Sequence, residues 1–481
     1  MNVSRVIRIL GLVLYSLAVA QLFPVFWCLA PFDDRGVLGL LSGSATAAIL
    51  GAILRFFGSD EGELYRREGV LVVVFSWLLA SLVGAVPYLA SGAIEHLVDA
   101  LFESASGFTT TGASILLNIE TLPRGILVWR SMTQWLGGIG IVVLFVALLS
   151  ELGPGARFLF KLEVPGPKAE ILHTRVRETA LALFRIYLAL SGTQMILMLL
   201  FGASLFDAVT HTFSTVSTGG FSPYVDSIAH FSIPLQSVVL IFMLAAGVNF
   251  SLYYALARND VSAFFHDTEL RVYVLIAAAS TLVVGADIYF AGLDSEPAHA
   301  LFDAAFQVVS LLTTTGFATA DFAGWPGFAH ATLVSTMFVG GCAGSTAGGA
   351  KVIRLLIGAK VALREVRLTF SPNAIIAATV GDQVVPESSA RAVTSLLLLW
   401  TLGWGGGALL LAVGDTDIVT AATASLATVS NIGPGLSAVG PTENFAFFAG
   451  WQKIVMVFLM WLGRLEFFAV VALLLPRFWK P

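Results

Sequence analysis

Charge is scarce in this chain. Of its 481 residues only 12% are Asp, Glu, Lys or Arg, against about 25% in an ordinary soluble domain. That deficit excludes a water-coated globular fold. Cysteine is almost missing too. Cys28 and Cys342 are the only two, both in apolar stretches, which leaves no disulfide framework and no Cys/His spacing of the metal-binding kind. No Gly-rich phosphate loop carries a Lys, so the chain has no means of hydrolysing ATP itself. The net charge is only -5, without the basic excess that nucleic-acid partners require. The seven histidines lie mainly in loops or outer segments. A serine nucleophile at Ser345 would need a base within hydrogen-bond reach. His330 stands 15 residues away, about 22 Å along a helix.

What remains is apolar. Hydrophobic residues make up 57% of the chain and the mean hydropathy is +0.87. A bilayer core needs about 20 apolar residues per helix. Ten runs approach or meet this: 9–32, 36–54, 70–94, 125–150, 186–206, 231–257, 272–293, 327–350, 392–414 and 454–475. The reading is an all-α integral membrane protein in the lipid bilayer, with Arg130, Asp287, Arg464 and Glu466 inside or at the ends of spans. Basic residues crowd alternate connections, among them Arg5, Arg8, Arg55, Arg66, Arg67, Arg157, Lys161, Lys168, Arg175, Arg258, Arg271, Lys360, Arg364, Arg367, Arg477 and Lys480. The positive-inside rule then puts both termini in the cytosol. The opposite connections are acidic, with Asp33, Asp226, Asp294, Asp321, Asp417 and Glu443 among them, a rim that would concentrate cations.

Between the spans four short segments repeat one theme: Thr109-Thr110-Thr111-Gly112, Ser217-Thr218-Gly219-Gly220, Thr313-Thr314-Thr315-Gly316 and Ser430-Asn431-Ile432-Gly433. With Gly112, Gly219, Gly316 and Gly433 as anchors, Asp99, Asp207 and Asp303 stand 13, 12 and 13 residues upstream, and Thr420 stands 13 upstream of the fourth glycine. Each aspartate suits a helix start by capping and dipole. A short re-entrant helix of about ten residues is therefore expected before each segment. Each copy reads helix, re-entrant helix, filter strand, helix. Four parallel copies with pseudo-fourfold symmetry occupy 61–160, 161–262, 263–370 and 371–481, after a two-helix addition at 1–60.

Irregular backbone at membrane depth survives only when it lines water or is buried in protein. Four converging copies would meet that condition with a ring of carbonyls, which can replace the hydration shell of a monovalent cation. The ring residues would be Thr110, Thr111, Gly112, Ser217, Thr218, Gly219, Thr314, Thr315, Gly316, Asn431, Ile432 and Gly433. No acid lies in any of them, so a side-chain carboxylate ring is not expected and K+ is the leading cargo. The fourth copy, with Asn431, Ile432 and Pro434, is imperfect, and looser selectivity is expected of it.

Positions 340–349 hold five glycines, Gly340, Gly341, Gly344, Gly348 and Gly349. At roughly 1 kcal/mol each they oppose a helix interior. A loop that obstructs a pore below the filter is one reading, and small-residue helix packing is the other. Arg464 in mid-span must face partners or water. A cation-repelling role under the filter competes with a salt bridge to Glu466 or another carboxylate. Lys351 and Arg354 follow the loop and could bind partners or simply obey the positive-inside rule. Asn249 is expected to hydrogen-bond between helices rather than to hold a gate.

These four segments, the eight-span repeat and the stretch from Gly340 to Arg354 resemble the TrkH/TrkG/KtrB family of bacterial potassium uptake proteins, and the two added N-terminal spans favour TrkH. The resemblance implies potassium uptake across the bacterial inner membrane and a homodimer with one pore per subunit. It also implies a cytosolic TrkA-type ring, through which alone a nucleotide would act. It implies a gate formed by Gly340, Gly341, Gly344, Ser345, Gly348, Gly349, Lys351 and Arg464, and no enzyme activity. A cation-coupled symporter using H+ or Na+ is the alternative. The potassium-binding subunit of a P-type ATPase is a third reading, disfavoured by chain length and the Gly340–Gly349 run.

Overall fold

A computed structural model describes residues 1–61, 65–151, 176–374, 376–381 and 383–480. The basic residues Arg157, Lys161, Lys168 and Arg175, part of the predicted orientation signal, lie outside the described residues. Helices dominate. The chain opens with α1 (Val3–Ala20), a 3-10 turn at Phe23–Cys28, and α2 (Asp34–Phe57). There follow α3 (Arg66–Gly84), α4 (Val86–Ala90), α5 (Leu97–Phe108) and α6 (Arg124–Glu151). Next come α7 (Val176–Leu200), α8 (Leu205–Val216), α9 (Ile233–Ala246) and α10 (Phe250–Ala257). After a short α11 (Val261–Phe265) lie α12 (Thr268–Phe290), α13 (Pro297–Leu312), α14 (Gly327–Val339) and α15 (Val352–Phe370). The last set is α16 (Glu387–Leu411), α17 (Ile418–Val429), α18 (Gly450–Arg464), α19 (Phe468–Leu474) and α20 (Pro476–Trp479). A two-residue antiparallel pair, Thr379–Val380 with Gln383–Val384, precedes α16.

Six of the ten predicted runs coincide with helices long and apolar enough to cross a membrane. The run 125–150 is helical within α6. The other three depart from straight spans. The run 231–257 bends by 93° between α9 and α10, and 454–475 bends by 116° between α18 and α19. The run 327–350 stops being helical at Val339, and α15 starts only at Val352. The causes are local. Asn249 caps α10 by accepting from the Ser251 N–H at 2.9 Å, and Glu466 and Phe467 adopt φ of 55° and 56°, which no helix tolerates.

Small residues govern how the first two helices dock. Gly36, Gly39, Gly43, Ala47 and Gly51 lie buried along α2. A methyl group on Gly39 would stand 2.6 Å from Pro87 O, and one on Gly11 2.8 Å from Gly51 O. Backbones this close gain van der Waals contact unavailable to larger residues. The chain ends meet on one side. The Asn2 N–H donates to Glu68 at 2.9 Å and the Arg67 guanidinium to the Lys480 carbonyl, both at the start of α3.

Because a Cβ on Gly43 would lie 2.1 Å from Gln21 Oε1 and 2.7 Å from Pro87 Cγ, Gly43→Val is expected to overpack this seam, at a cost of about 1–3 kcal/mol. A lowered melting temperature of the purified protein in detergent is the expected result. An unchanged melt would show that the seam has slack.

Candidate functional site

The four short helices α5, α8, α13 and α17 end at equivalent residues. Thr109, Ser217, Thr313 and Ser430 are their C-caps. The next residue turns left-handed in every copy, with φ of 54° at Thr110, 56° at Thr218, 58° at Thr314 and 56° at Asn431. The residue after that donates its N–H back to its own helix. Thr111 to Ser106 O, Gly219 to Ser214 O, Thr315 to Ser310 O and Ile432 to Ala427 O are all 2.8 Å. A glycine with positive φ follows: Gly112 (80°), Gly220 (77°), Gly316 (81°) and Gly433 (100°).

The second copy is therefore displaced by one from the sequence alignment. Its left-handed glycine is Gly220, and Gly219 occupies the place of Thr111, Thr315 and Ile432. With that shift the upstream spacing from Asp207 becomes 13, as in the other copies. The aspartates are also not caps. Asp99 and Asp207 sit in the first turns of α5 and α8, while Asp303 lies well inside α13. Ser204 caps α8, and Asp417 caps α17 by accepting from Val419 and Thr420 N–H at 3.0 Å each. The helices run to 12, 12, 16 and 12 residues, longer than expected.

The four turns stand in closed cyclic order. A Cβ on Gly112 would meet Gly219 O at 2.1 Å, one on Gly220 would meet Thr315 O at 1.9 Å, and one on Gly316 would meet Ile432 O at 2.0 Å. The fourth closes the circuit, with Gly433 facing Thr111 O at 2.9 Å. Each glycine thus abuts the carbonyl preceding the next copy's glycine, an arrangement that requires all four to surround one axis. A side chain at these points would need both a disfavoured φ and the space of a neighbour's carbonyl.

Polar residues brace the ring from behind. Nine positions before each glycine stand Glu103, His211, Gln307 and Ala424. Glu103 accepts from Ile115 N–H at 3.0 Å and from the Ser114 hydroxyl at 3.1 Å. His211 Nε2 lies 3.2 Å from Ser222 Oγ. Gln307, with its amide oriented to satisfy both ends, accepts from Thr319 N–H at 2.8 Å. In the fourth copy Thr423 takes over, with its hydroxyl accepting from Leu436 N–H at 3.0 Å. Sequence reasoning missed this layer, including His211, which is fully buried in α8.

Arg130 joins two copies. Its Nε donates to Glu103 at 2.6 Å, a terminal nitrogen donates to Ser222 O at 2.8 Å, and the guanidinium lies 3.6 Å from the Phe221 ring centroid. Both partners of the ion pair are buried. Lys453 pairs with Asp99 at 2.6 Å, binding α18 to α5.

Beneath the ring lies the irregular segment 340–351. Gly340, Gly344 and Gly349 have φ of 74°, 71° and 76°, so the glycines serve a loop and not helix packing. Gly348 N–H donates to Thr314 Oγ1 at 2.7 Å, and Gly349 N–H to Ser430 O at 2.9 Å. The Thr346 hydroxyl donates to Val216 O at 3.0 Å. Ser345 Oγ donates to Cys342 O at 2.6 Å and Lys351 Nζ to Ala347 O, both within the loop. Gly341 O accepts from Val352 N–H at 3.1 Å. Glu269 holds both loop shoulders, accepting from Ala343 N–H at 2.7 Å and Ile353 N–H at 3.2 Å. Asn249 packs against the loop at Gly344.

Arg464 is buried and donates to Thr346 O at 2.8 Å and Gly137 O at 3.1 Å. Glu466 instead takes Arg354, at 2.6 Å. The Arg464–Glu466 bridge, the alternative to a cation-repelling role, is therefore absent among the described ion pairs. Elsewhere, Asp294, His299 and Asp303 come within 4.8 Å of one another around the start of α13. Hydrogen bonding to Asp294 raises the exposed His299 above its ordinary pKa.

A membrane-type helical protein organised around four equivalent backbone turns is thus defined. The family model described as TrkH, cation transport protein, matches residues 40–479. The Trk system potassium uptake protein TrkH of Salmonella typhimurium is 35% identical, with both chains covered in full. TrkH of Halomonas elongata is 37% identical, again over all of both chains. Escherichia coli TrkG is 35% identical over 87% of this chain and 86% of its own. The crystal structure of the potassium transporter TrkH from Vibrio parahaemolyticus matches with a TM-score of 0.90 and 34% identity, covering all of both chains. The chain belongs to the TrkH family.

Arg130→Met would leave the Glu103 carboxylate buried without its cation, a loss of about 3–5 kcal/mol. The variant is expected to melt well below the parent protein, and Glu103→Gln/Arg130→Met to recover part of the difference. Equal melting of all three would show that the pair contributes nothing.

Proposed function

We propose that this protein takes up potassium ions along the axis enclosed by the four turns, as the membrane component of a Trk system. The closed cyclic order of glycines and carbonyls carries this reading. Neutral carbonyls around one axis can substitute for the water of a weakly hydrated cation, and the relatives bear the name of potassium uptake proteins. Ten spans result when each bent pair counts once, α6 counts as a span, and α14, the loop and α15 count together. They divide as the two-helix addition and four copies with the boundaries expected from the sequence. Filter residues are Thr110 to Gly112, Ser217 to Gly220, Thr314 to Gly316 and Asn431 to Gly433.

The segment 340–351 acts as the gate. Its Gly348 and Gly349 N–H groups meet Thr314 and Ser430 at the C-terminal ends of two short helices, where negative partial charge would otherwise hold a cation, and Arg464 holds the loop at Thr346 O. The protein resides in the bacterial inner membrane with both termini in the cytosol. It works as a homodimer bound to a TrkA-type ring that supplies the nucleotide response.

Rubidium-86 uptake into proteoliposomes, with and without Na+ and H+ gradients, tests the mode. Uptake that K+ inhibits, Na+ does not, and neither gradient drives is expected of a channel-like path. Gradient-dependent uptake would establish symport. Gly316→Ser places a side chain against Ile432 O and is expected to lower potassium preference on the order of tenfold, the worth of about 1.4 kcal/mol. Unchanged preference would remove this segment from the filter. Arg464→Ala is expected to raise basal flux by releasing the loop at Thr346. Flux equal to that of the parent protein would deny Arg464 a gating role.

A further inference from the structure

The second turn differs from the others in having two adjacent glycines, and only Gly220 needs to be one. Gly219 has no positive φ, and its counterparts Thr111, Thr315 and Ile432 carry side chains in the same place. The backbone therefore does not demand a glycine at 219. The neighbour does. A Cβ there would stand 2.4 Å from Gln134 Cδ and 2.6 Å from its Oε1.

Gln134 is fully buried on α6 and grips the second turn at both ends of its amide. Nε2 donates to Gly219 O at 2.6 Å, and Oε1 accepts from Phe221 N–H at 3.0 Å. The side chain thus pairs with the strand as a short piece of backbone would. At the same distance beyond the other ring glycines stand Phe242, Phe338 and Val455, none of which has an amide. Among the described residues no hydrogen bond reaches the carbonyls of Thr111, Thr315 or Ile432. Of the four equivalent carbonyls, that of Gly219 alone accepts a hydrogen bond among the described residues.

We infer that Gln134 is a specificity-determining residue of the filter, and that Gly219 is glycine in order to admit it. The inference rests on the four turns being the filter. Two effects act in the same direction. The amide pins the second strand in register, which fixes the size of the ring. Its N–H also draws electron density from one ring oxygen, lowering the field that the ring presents. Field strength and geometry are the two quantities that separate K+ from Na+ at carbonyls, and a weaker field favours the larger, more easily dehydrated ion. Gln134 therefore makes the ring chemically asymmetric, with three open carbonyls and one already holding a hydrogen.

The experiment uses the full chain in proteoliposomes and compares the concentrations of K+ and Na+ that inhibit rubidium-86 uptake. Gln134→Leu is expected to reduce the K+/Na+ preference roughly three- to tenfold, the span of one hydrogen bond. Gly219→Thr, which drives a side chain into Gln134, is expected to lose preference or to fail to fold. Gln134→Ala/Gly219→Thr, which rebuilds the pattern of the first and third copies, is expected to exceed Gly219→Thr alone in both preference and melting temperature. A merely structural role would move the melt of Gln134→Leu and leave its ion preference intact, which would overturn the inference. A double variant no better than Gly219→Thr would overturn it as well. Gly316→Ser, on the far side of the ring, separates the two levels of failure. If it lowers preference while Gln134→Leu does not, only the role of Gln134 falls. If neither does, the filter reading falls with it.

Discussion

Backbone amide groups that leave a helix inside a membrane must find partners, because no water is there to supply them. In this protein each of the four turns meets the demand in the same way. The N–H of the residue before the glycine returns to its own helix at 2.8 Å. The donors are thereby consumed locally and the acceptors are left to other partners, Gln134 in the case of Gly219 O. Carbonyls spared of internal partners are costly to bury, several kcal/mol each in an apolar medium, unless something else satisfies them. A cation does so. The repeated backbone bond is thus the constraint from which the rest follows. It fixes the left-handed residue, it places the glycine, and it leaves oxygens on the axis.

Equivalent backbone does not mean equivalent support. The residues behind the ring are a carboxylate, an imidazole, an amide and a hydroxyl shifted by one position. Of these four residues Glu103 alone is ion-paired among the described residues, and a terminal nitrogen of its partner Arg130 donates to the second copy at Ser222 O. Replacement of a buried pair by apolar residues is often neutral in stability, while loss of one partner is not. A pair retained at the 1–2 boundary, beside Gln134, ties the second strand to α6 at Gly219, Phe221 and Ser222. At the 3–4 boundary, no charged side chain among the described residues ties the fourth strand to the third copy in this way. There Pro434 Cδ lies 2.8 Å from where a Cβ on Gly316 would be, so fit takes the place of bonding.

Much of this was legible in the sequence, for physical reasons that can be named. Apolar runs announce spans because lipid admits little else, and the Thr/Gly turns announce themselves by recurring at fixed distance from a short helix. The second copy was misregistered because Gly219 and Gly220 are indistinguishable as letters. Only φ, and the presence of Gln134, tells them apart. Arg130 was visible as a charge within the run 125–150, but its partners were not, and Gln134 went unremarked there, because periodicity reports how apolar a helix is and not which polar residue faces inward. The bends at Asn249 and at Glu466–Phe467 were hidden because apolar composition continues across them. The aspartates misled as caps because a carboxylate in the first turn and one at the cap are equally favoured by the helix dipole, and Ser204 and Asp417 had the better geometry.

The loop under the ring is held differently from everything around it. Packed helices resist motion through many weak contacts, whereas segment 340–351 meets the ring through Gly348, Gly349 and Thr346 and is anchored by Glu269 at its shoulders. Lys351 enters α15 with φ of 75°, so the junction is not in a relaxed helical start. Arg354, one turn further on, pairs with Glu466, which itself has positive φ at the bend of α18 and α19. At about 1 kcal/mol net per hydrogen bond, the three contacts to the ring amount to a few kcal/mol, within the range that a bound partner can supply. The strained junctions at Lys351 and Glu466 are joined by one ion pair, so a displacement of α15 would be felt at the Arg464 end of α18 and at the loop together. If segment 340–351 is the gate proposed above, the same chain of contacts that stops the axis is the one through which a force on α15 would open it.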